Sequence, residues 1–161
     1  AVHRNIEWVI LRPTLIYSLH RDKNISKIAS FIRRFGFFPL LGSAKGLRQP
    51  IHSEDVALAC LAALQAPHVA NRAYDISGGE TLTYRNMVIR IFERLGYPVR
   101  LVMVPLWVFR LAVAILRNLP RYRHLSVAMV ERMNHDLVFS HVDAVRDFGF
   151  KPRRFFDDKK N

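Results

Sequence analysis

Gln49-Pro50-Ile51-His52-Ser53-Glu54-Asp55-Val56-Ala57-Leu58-Ala59-Cys60-Leu61-Ala62-Ala63-Leu64 changes character in its middle. The first four residues, with a proline and a β-branched isoleucine, read as a short extended piece. From Ser53 onward the run is apolar and free of glycine and proline, which reads as a helix. Ser53 offers a hydroxyl cap, and Glu54 and Asp55 place two acids in the first turn, where they complement the positive end of the helix dipole. The helix is expected to run to about Ala66 and to stop at Pro67. Cys60 sits within it, as a small apolar residue would on a packed face.

The same alternation extends both ways. Upstream, Glu7 to Leu11 is a nearly continuous apolar run before Arg12-Pro13, as expected of a parallel strand buried on both faces. Asn24 or Ser26 could cap a helix to about Phe35, stopped by Gly36. Phe37 to Gly42 reads as an apolar loop or short strand. Downstream, Ala73 to Ser77 is a strand closed by Gly78-Gly79. Thr83 caps a helix from Tyr84 to Leu95 with Gly96 as its stop. Val99 to Val104 is a strand ending at Pro105. Leu106 to Leu119 is a helix, Ser126 caps a short one to about Met133, and Val142 or Asp143 opens a last one ending at Gly149. Strands alternating with helices mark an α/β protein. About four strands are legible, fewer than a doubly wound sheet needs, so earlier strands are expected to precede Ala1.

Composition narrows the function classes. The 161 residues suffice for one domain with a core, and half of them are hydrophobic. The single cysteine excludes an internal disulfide framework and any cysteine-based zinc motif, and fits a reducing, cytoplasmic setting. The seven histidines contain no His-Glu-x-x-His pattern, so no metal is expected. Charges interrupt Val2 to Trp8, which is therefore no signal peptide. Arg110 interrupts the longest apolar run, Pro105 to Leu116, short of a membrane span. The net charge of +12 favours anionic partners. Basic residues are spread along the chain rather than gathered in an arm, and no RNA- or DNA-binding motif is present, so nucleic acid is not an expected partner.

Four ordered blocks then carry a resemblance. Arg12-Pro13-Thr14-Leu15-Ile16-Tyr17 resembles the Arg-Pro-x-x-(Val/Ile)-Tyr-Gly stretch of extended short-chain dehydrogenases, with Ser18 in place of the glycine. Arg48 to Ala57 resembles the Arg-x-(Phe/Pro)-(Ile/Val)-His-x-x-Asp-(Val)-Ala block of the same family. Tyr74-Asp75-Ile76-Ser77-Gly78-Gly79 and Asp147-Phe148-Gly149-Phe150-Lys151-Pro152 are similar to its later signatures. The chain thus resembles the C-terminal half of an NAD-dependent epimerase/dehydratase. Gln49-Pro50 and the apolar segment after Val99 are similar to the atypical branch that includes the complex I 39-kDa accessory subunit. The resemblance implies the C-terminal portion of a Rossmann-type sheet plus a small mixed α/β substrate subdomain, with residues 1–161 as one substrate-side region.

The same resemblance implies site roles. Pro13, Thr14, Leu15 and Ile16 would pass the nicotinamide end of an NAD or NADP cofactor. Arg48 would grip the diphosphate of a nucleotide sugar or other phosphorylated small molecule, a task suited to the guanidinium fork. Asn24 and Arg21 would lie where relatives open onto substrate, with Lys23, Arg33 and Arg34 as further members of an anion-attracting rim. A solvated helix face explains the same basic residues equally well. His52 matches the family histidine, either as substrate contact or as a structural group bonded to backbone. Asp55 is read as a first-turn acid or a partner for His52. Phe37, Phe38, Leu40 and Leu41 would either shape a substrate pocket or fill core, with core the favoured reading.

Two motifs are absent: no Gly-x-x-Gly-x-x-Gly turn follows a strand, and no Tyr-x-x-x-Lys occurs. The expectation is therefore a substrate-binding part, not active alone and with no catalytic residue of its own. A non-catalytic NADP(H)-binding accessory protein of a membrane-associated complex is the alternative. The basic amphipathic stretch 105–120 would then lie on a membrane surface or a partner subunit, peripheral at the inner membrane face, and a homo-oligomer is also conceivable.

Overall fold

A computed structural model describes residues 6–18, 22, 24–105, 107–109, 111 and 133–157. The predicted helices 106–119 and 126–133 fall largely outside these residues, as does Arg21. The chain forms two compact units, and each is interleaved along the sequence. Unit 1 comprises residues 1–22, 49–81 and 138–161; unit 2 comprises residues 23–48 and 82–137.

Unit 1 is built on parallel pairs. β1 (Val9–Pro13) runs parallel to β6 (Arg72–Ile76), with Val9 opposite Arg72 and Pro13 opposite Ile76. β2 (Ile16–Tyr17) runs parallel to β5 (Ile51–His52). Helix α2 (Ser53–Gln65) follows β5 directly, and α4 (Val142–Phe148) packs on β6 and α2. The core between sheet and helices holds Ile51, Ala59, Val69, Tyr74, Ile76, Ala144 and Phe150. Burying a side chain of Ile or Phe size contributes about 1.5–3 kcal/mol, so these residues dominate the unit's stability.

Unit 2 repeats one motif. Helix α1 (Ile25–Phe35) leads into β3 (Phe38–Leu41), and α3 (Tyr84–Leu95) leads into β8 (Leu101–Val104). β3 and β8 are parallel, Phe38 lying opposite Leu101, and the two helices pack on each other through Ile25, Ala29 and Ile32 on one and Met87, Val88, Ile91 and Phe92 on the other. A short antiparallel pair, β4 (Leu47–Arg48) with β7 (Leu82–Thr83), completes it.

The α/β reading is correct, and α1, α3 and α4 span the expected residues, although neither Asn24 before α1 nor His141 before α4 makes a side-chain cap hydrogen bond. Gly36, Gly96 and Gly149 all end helices in the left-handed conformation, and Thr83 Oγ1 accepts from the Asn86 N–H at 3.1 Å. Three details differ. There are eight strands among the described residues, because four are only two residues long and too brief to show a period. His52, not Ser53, caps α2: its ring nitrogen accepts from the Glu54 N–H at 3.3 Å. Cys60 is exposed rather than packed. The inward face of α2 is Asp55, Ala59 and Ala63, four residues apart, which turns Cys60 away.

Two ties hold segments distant in sequence. Asp55 is buried and accepts from the Arg153 backbone N–H at 3.0 Å and from its Nε at 2.8 Å, anchoring residues 151–157 to the start of α2. Burial is the largest single influence on Arg153 and lowers its pKa, but Asp55 and Glu54 together outweigh it and the net shift is upward. Asp147 on α4 accepts from Arg146 Nε at 2.7 Å, from the Tyr74 hydroxyl at 2.8 Å and from Arg72 Nη1 at 3.2 Å. The Arg146 hydrogen bond, helped by Tyr74, holds the Asp147 carboxyl down at about 2, below its ordinary 3.8. Its ionised form therefore stabilises the fold above about pH 4, and that contribution is lost as pH falls towards about 2. Asp147→Asn should flatten the acid limb of unfolding free energy against pH between those values, which urea titrations at a series of pH values will measure.

Glycine is required at Gly78 for a reason of space. A Cβ there would overlap the Pro50 carbonyl oxygen, a backbone atom that cannot swing away. Gly78→Ala should destabilise by about 1–3 kcal/mol or more, seen as a fall in melting temperature. At Gly36, where a Cβ would meet nothing within 4 Å but φ is +72°, alanine should cost only about 1 kcal/mol.

Candidate functional site

Each unit carries part of the predicted site. In unit 1 the chain leaves β1 at Pro13 and enters β2 at Ile16. The Thr14 N–H donates to the Ile76 carbonyl at 3.0 Å, and the Ile51 N–H donates to the Leu15 carbonyl at 3.0 Å. This backbone is fixed from both sides. Pro13 and Ile16 are exposed, while Thr14 and Leu15 are half-buried. The Thr14 hydroxyl donates to the Gln49 carbonyl at 2.5 Å. The segment thus offers an apolar surface, with its one hydroxyl committed to the fold.

His52 is half-buried between its capping bond to Glu54 and an edge contact with the Tyr17 ring, centroids 5.1 Å apart. That is the backbone-bonded structural role among those predicted. Asp55 takes Arg153 rather than His52 as its partner. Two residues in this unit escaped the sequence reading. Gln49 is buried and uses its whole side chain, donating from Nε2 to Thr81 Oγ1 at 3.2 Å and accepting at Oε1 from the Phe139 N–H at 2.8 Å. Ser77 Oγ lies 2.6 Å from His141 Nδ1, the spacing of a nucleophile and its base. Ser77 is fully buried, however, and its hydroxyl donates to the Phe139 carbonyl at 3.0 Å, so the pair is structural. Burial lowers the His141 pKa, which favours the neutral ring. Neither partner is near its mate in sequence, so no motif could have announced them.

In unit 2, β4 presents Arg48. The side chain is only 4% exposed. Nη1 donates to the Leu47 and His135 carbonyls, both at 2.6 Å, and the guanidinium stands over the Tyr84 ring at 5.7 Å from its centroid. No carboxylate of a described residue lies within ion-pair distance of it. Asp136 acts on it only at longer range, its own carboxylate accepting the Leu47 N–H at 2.8 Å. Burial lowers the Arg48 pKa against the pull of Tyr84 and Asp136, yet a guanidinium starts high enough to stay charged. Burial likewise pushes Tyr84 up to about 12, so its ring is a neutral platform. Nε and Nη2 make no hydrogen bond to a described residue. The result is a nearly buried cation held through one nitrogen by carbonyls, with no ion-paired carboxylate among the described residues. Tyr84, the platform, was read in the sequence only as the first residue after a cap.

Asn24 is exposed at the N-cap of α1. Arg33 and Arg34 occupy the last turn of the same helix. Eleven helical residues at 1.5 Å each set Arg33 and Arg34 about 15 Å along the helix from Asn24, while Arg21 and Lys23 lie outside the described residues. Of the apolar set, Phe38, Leu40 and Leu41 are core, whereas Phe37 is exposed. Among the described residues no cluster of His, Cys, Asp and Glu could hold a metal ion, and no helix is long and apolar enough to cross a membrane.

Known proteins bear on this geometry. Residues 1–77 match the family model described as "NAD dependent epimerase/dehydratase family". The chain is 26% identical over 100 residues to the mitochondrial NADH dehydrogenase [ubiquinone] 1 alpha subcomplex subunit 9 of Arabidopsis thaliana, covering 62% of this chain and 25% of that protein. Its fold is similar to UDP-glucose 4-epimerase of Thermotoga maritima, solved with UDP-glucose, at a TM-score of 0.64 and 17% identity over 91% of this chain and 41% of the other. It is likewise similar to the dTDP-glucose 4,6-dehydratase DesIV of Streptomyces venezuelae, solved with NAD, at a TM-score of 0.63 and 21% identity over 93% and 40% of the two chains. The chain spans about a quarter of the plant relative and about two-fifths of these enzymes. Residues 1–77 are thus similar to the NAD dependent epimerase/dehydratase family, and nearly the whole length shares the fold of the solved epimerases and dehydratases.

Proposed function

We propose that this chain is the substrate-side region of an NAD- or NADP-dependent nucleotide-sugar epimerase, dehydratase or reductase, and that it is not active alone. The observation that carries the reading is Arg48. A buried guanidinium with no ion-paired carboxylate among the described residues, and with Nε and Nη2 making no hydrogen bond to any of them, suits a diphosphate, whose oxygens would supply those bonds. The UDP- and dTDP-sugar enzymes of similar fold support this substrate class. Asn24, Arg21 and His52 stand as further substrate contacts, with His52 acting chiefly by holding the start of α2.

The cofactor would be held mainly by residues that this chain does not contain. When bound, a nicotinamide accepts or returns a hydride at the substrate carbon. Pro13 and Ile16 fit the apolar wall of such a ring, and Leu15 supports them from the half-buried side; the Thr14 hydroxyl, committed to Gln49, contributes no bond. A cofactor-binding half would dock on β1. Parallel strands are almost always covered on both faces. Yet β1 pairs only with β6 among the described residues, Trp8 and Ile10 are about half exposed, and a groove of about 380 Å³ opens between Val9 and Leu11 on one side and Cys60, Ala63 and Leu64 on the other.

In a longer polypeptide carrying these residues together with a glycine-rich turn and a Tyr-x-x-x-Lys helix, UDP- or dTDP-glucose should bind and turn over. Arg48→Ala should weaken nucleotide-sugar binding about tenfold to a hundredfold by calorimetry, and the bare sugar should bind equally to both proteins. Unchanged affinity in the variant would remove the reading. The similarity to the plant NADH dehydrogenase subunit favours one alternative, a non-catalytic NADP(H)-binding accessory protein. That role would show as tightly bound NADPH with no turnover of either sugar nucleotide.

A further inference from the structure

One end of unit 2 gathers arginines and exposed aromatic rings. α1 and α3 pack together, and the strands that follow them, β3 and β8, are parallel and in register. Two helix–turn–strand motifs in parallel bring both helix C-termini and both turns to the same end. The Phe38 N–H donating to the Arg100 carbonyl at 2.9 Å ties the two turns there. This end carries Arg33 and Arg34 from the last turn of α1, Arg94 from the last turn of α3, and Arg100 from the turn after it. Between them are Phe35, Phe37, Tyr97 and Val99, exposed by 52, 36, 39 and 46%. The rings of Phe35 and Phe37 lie 6.3 Å apart, and the Arg34 guanidinium stands over Phe35 at 5.4 Å from its centroid. Glu93 is the single acid within residues 31–37 and 93–100.

Helix termini explain part of this. Cations in a last turn complement the negative end of the helix dipole, which accounts for Arg33, Arg34 and Arg94. It accounts neither for Arg100, which lies beyond its helix, nor for four exposed apolar side chains at the same end. None of the four is on a strand, so the patch is not an edge awaiting another strand. Aromatic rings on turns, flanked by arginines, have the composition of an anchor at the membrane interface, where rings sit at headgroup level and each basic residue attracts acidic lipid.

We propose that this end of unit 2 docks on an anionic membrane surface, with Phe35, Phe37 and Tyr97 at the headgroup level and Arg33, Arg34, Arg94 and Arg100 against acidic headgroups. The proposal uses no residue of the basic amphipathic stretch 105–120. It stands whether or not Arg48 binds a diphosphate.

Co-sedimentation of the whole chain with phosphatidylcholine vesicles, with and without roughly 30% phosphatidylserine, tests it at low and high salt. The acidic vesicles should bind it, the neutral ones should not, and salt should release it. Because a chain of net charge +12 could adhere through any face, two charge reversals are compared. Arg33→Glu with Arg34→Glu should weaken binding at least tenfold. Lys45→Glu with Arg85→Glu makes the same change in charge at the other end of α3, where the Arg85 N–H meets the Ala44 carbonyl, and should weaken it about threefold or less. Phe35→Ser with Phe37→Ser should weaken binding several-fold at constant charge. Circular dichroism melts verify folding, and Arg33→Gln with Arg34→Gln replaces any reversal that unfolds. Equal losses from both charge reversals, an undiminished serine variant, no binding to acidic vesicles, or equally tight binding to polyglutamate would each overturn the proposal.

Discussion

The Gln49 carbonyl accepts two donors from opposite sides, the Thr14 hydroxyl at 2.5 Å and the Gly78 N–H at 3.3 Å. One residue on, Pro50 passes so close to Gly78 that no Cβ fits between them, and Ile51 then pairs back to Leu15. Through this crossing the end of β1, the start of β5 and the turn after β6 are locked together. The apolar segment Pro13–Ile16 has its shape because of it, and so does the entry into α2. A short segment without room for a side chain is a severe constraint in a protein interior, where backbone cannot yield as a flexible side chain can.

Around that crossing the polar groups are spent on structure. Gln49 uses both ends of its amide, Ser77 and His141 satisfy each other, and Asp55 is fully engaged by Arg153. Buried polar groups are costly unless partnered, so side chains that look chemically capable are consumed by the fold. Arg48 departs from this pattern. It too is buried, but carbonyls rather than a carboxylate hold it, through one nitrogen, above a tyrosine kept neutral by burial. Function is more credibly sought where a charge is left incompletely matched than where a network closes on itself.

The apolar surface shows a comparable contrast. Unit 1 exposes Trp8, Ile10, Leu58, Leu61 and Leu64, a set too large and too close to a parallel strand to be scattered surface residues. Helix α2 has a low amphipathic contrast because apolar residues lie all around it, which is the mark of a helix covered on more than one face. Unit 2 gathers three of its exposed rings, Phe35, Phe37 and Tyr97, at one end among arginines, while Trp107, also exposed, follows the far end of β8.

The sequence by itself determined where the helices begin and end, the alternation of strands with helices, and four ordered blocks that resemble one family. These are local matters: a glycine able to turn left-handed, a hydroxyl at an N-cap, an apolar period. The two-residue strands, the His52 cap and the exposure of Cys60 were decided by packing, as were the pairings of Asp55 with Arg153 and of Ser77 with His141. The last two join residues 98 and 64 apart, and the exposure of Cys60 depends on which helix face meets the sheet. The same holds for the site. The sequence singled out Arg48, but only the tertiary structure supplied the carbonyls and the Tyr84 ring that hold its charge without cancelling it. It also separated Arg33 and Arg34 from Asn24, because a helix of eleven residues carries its two ends apart.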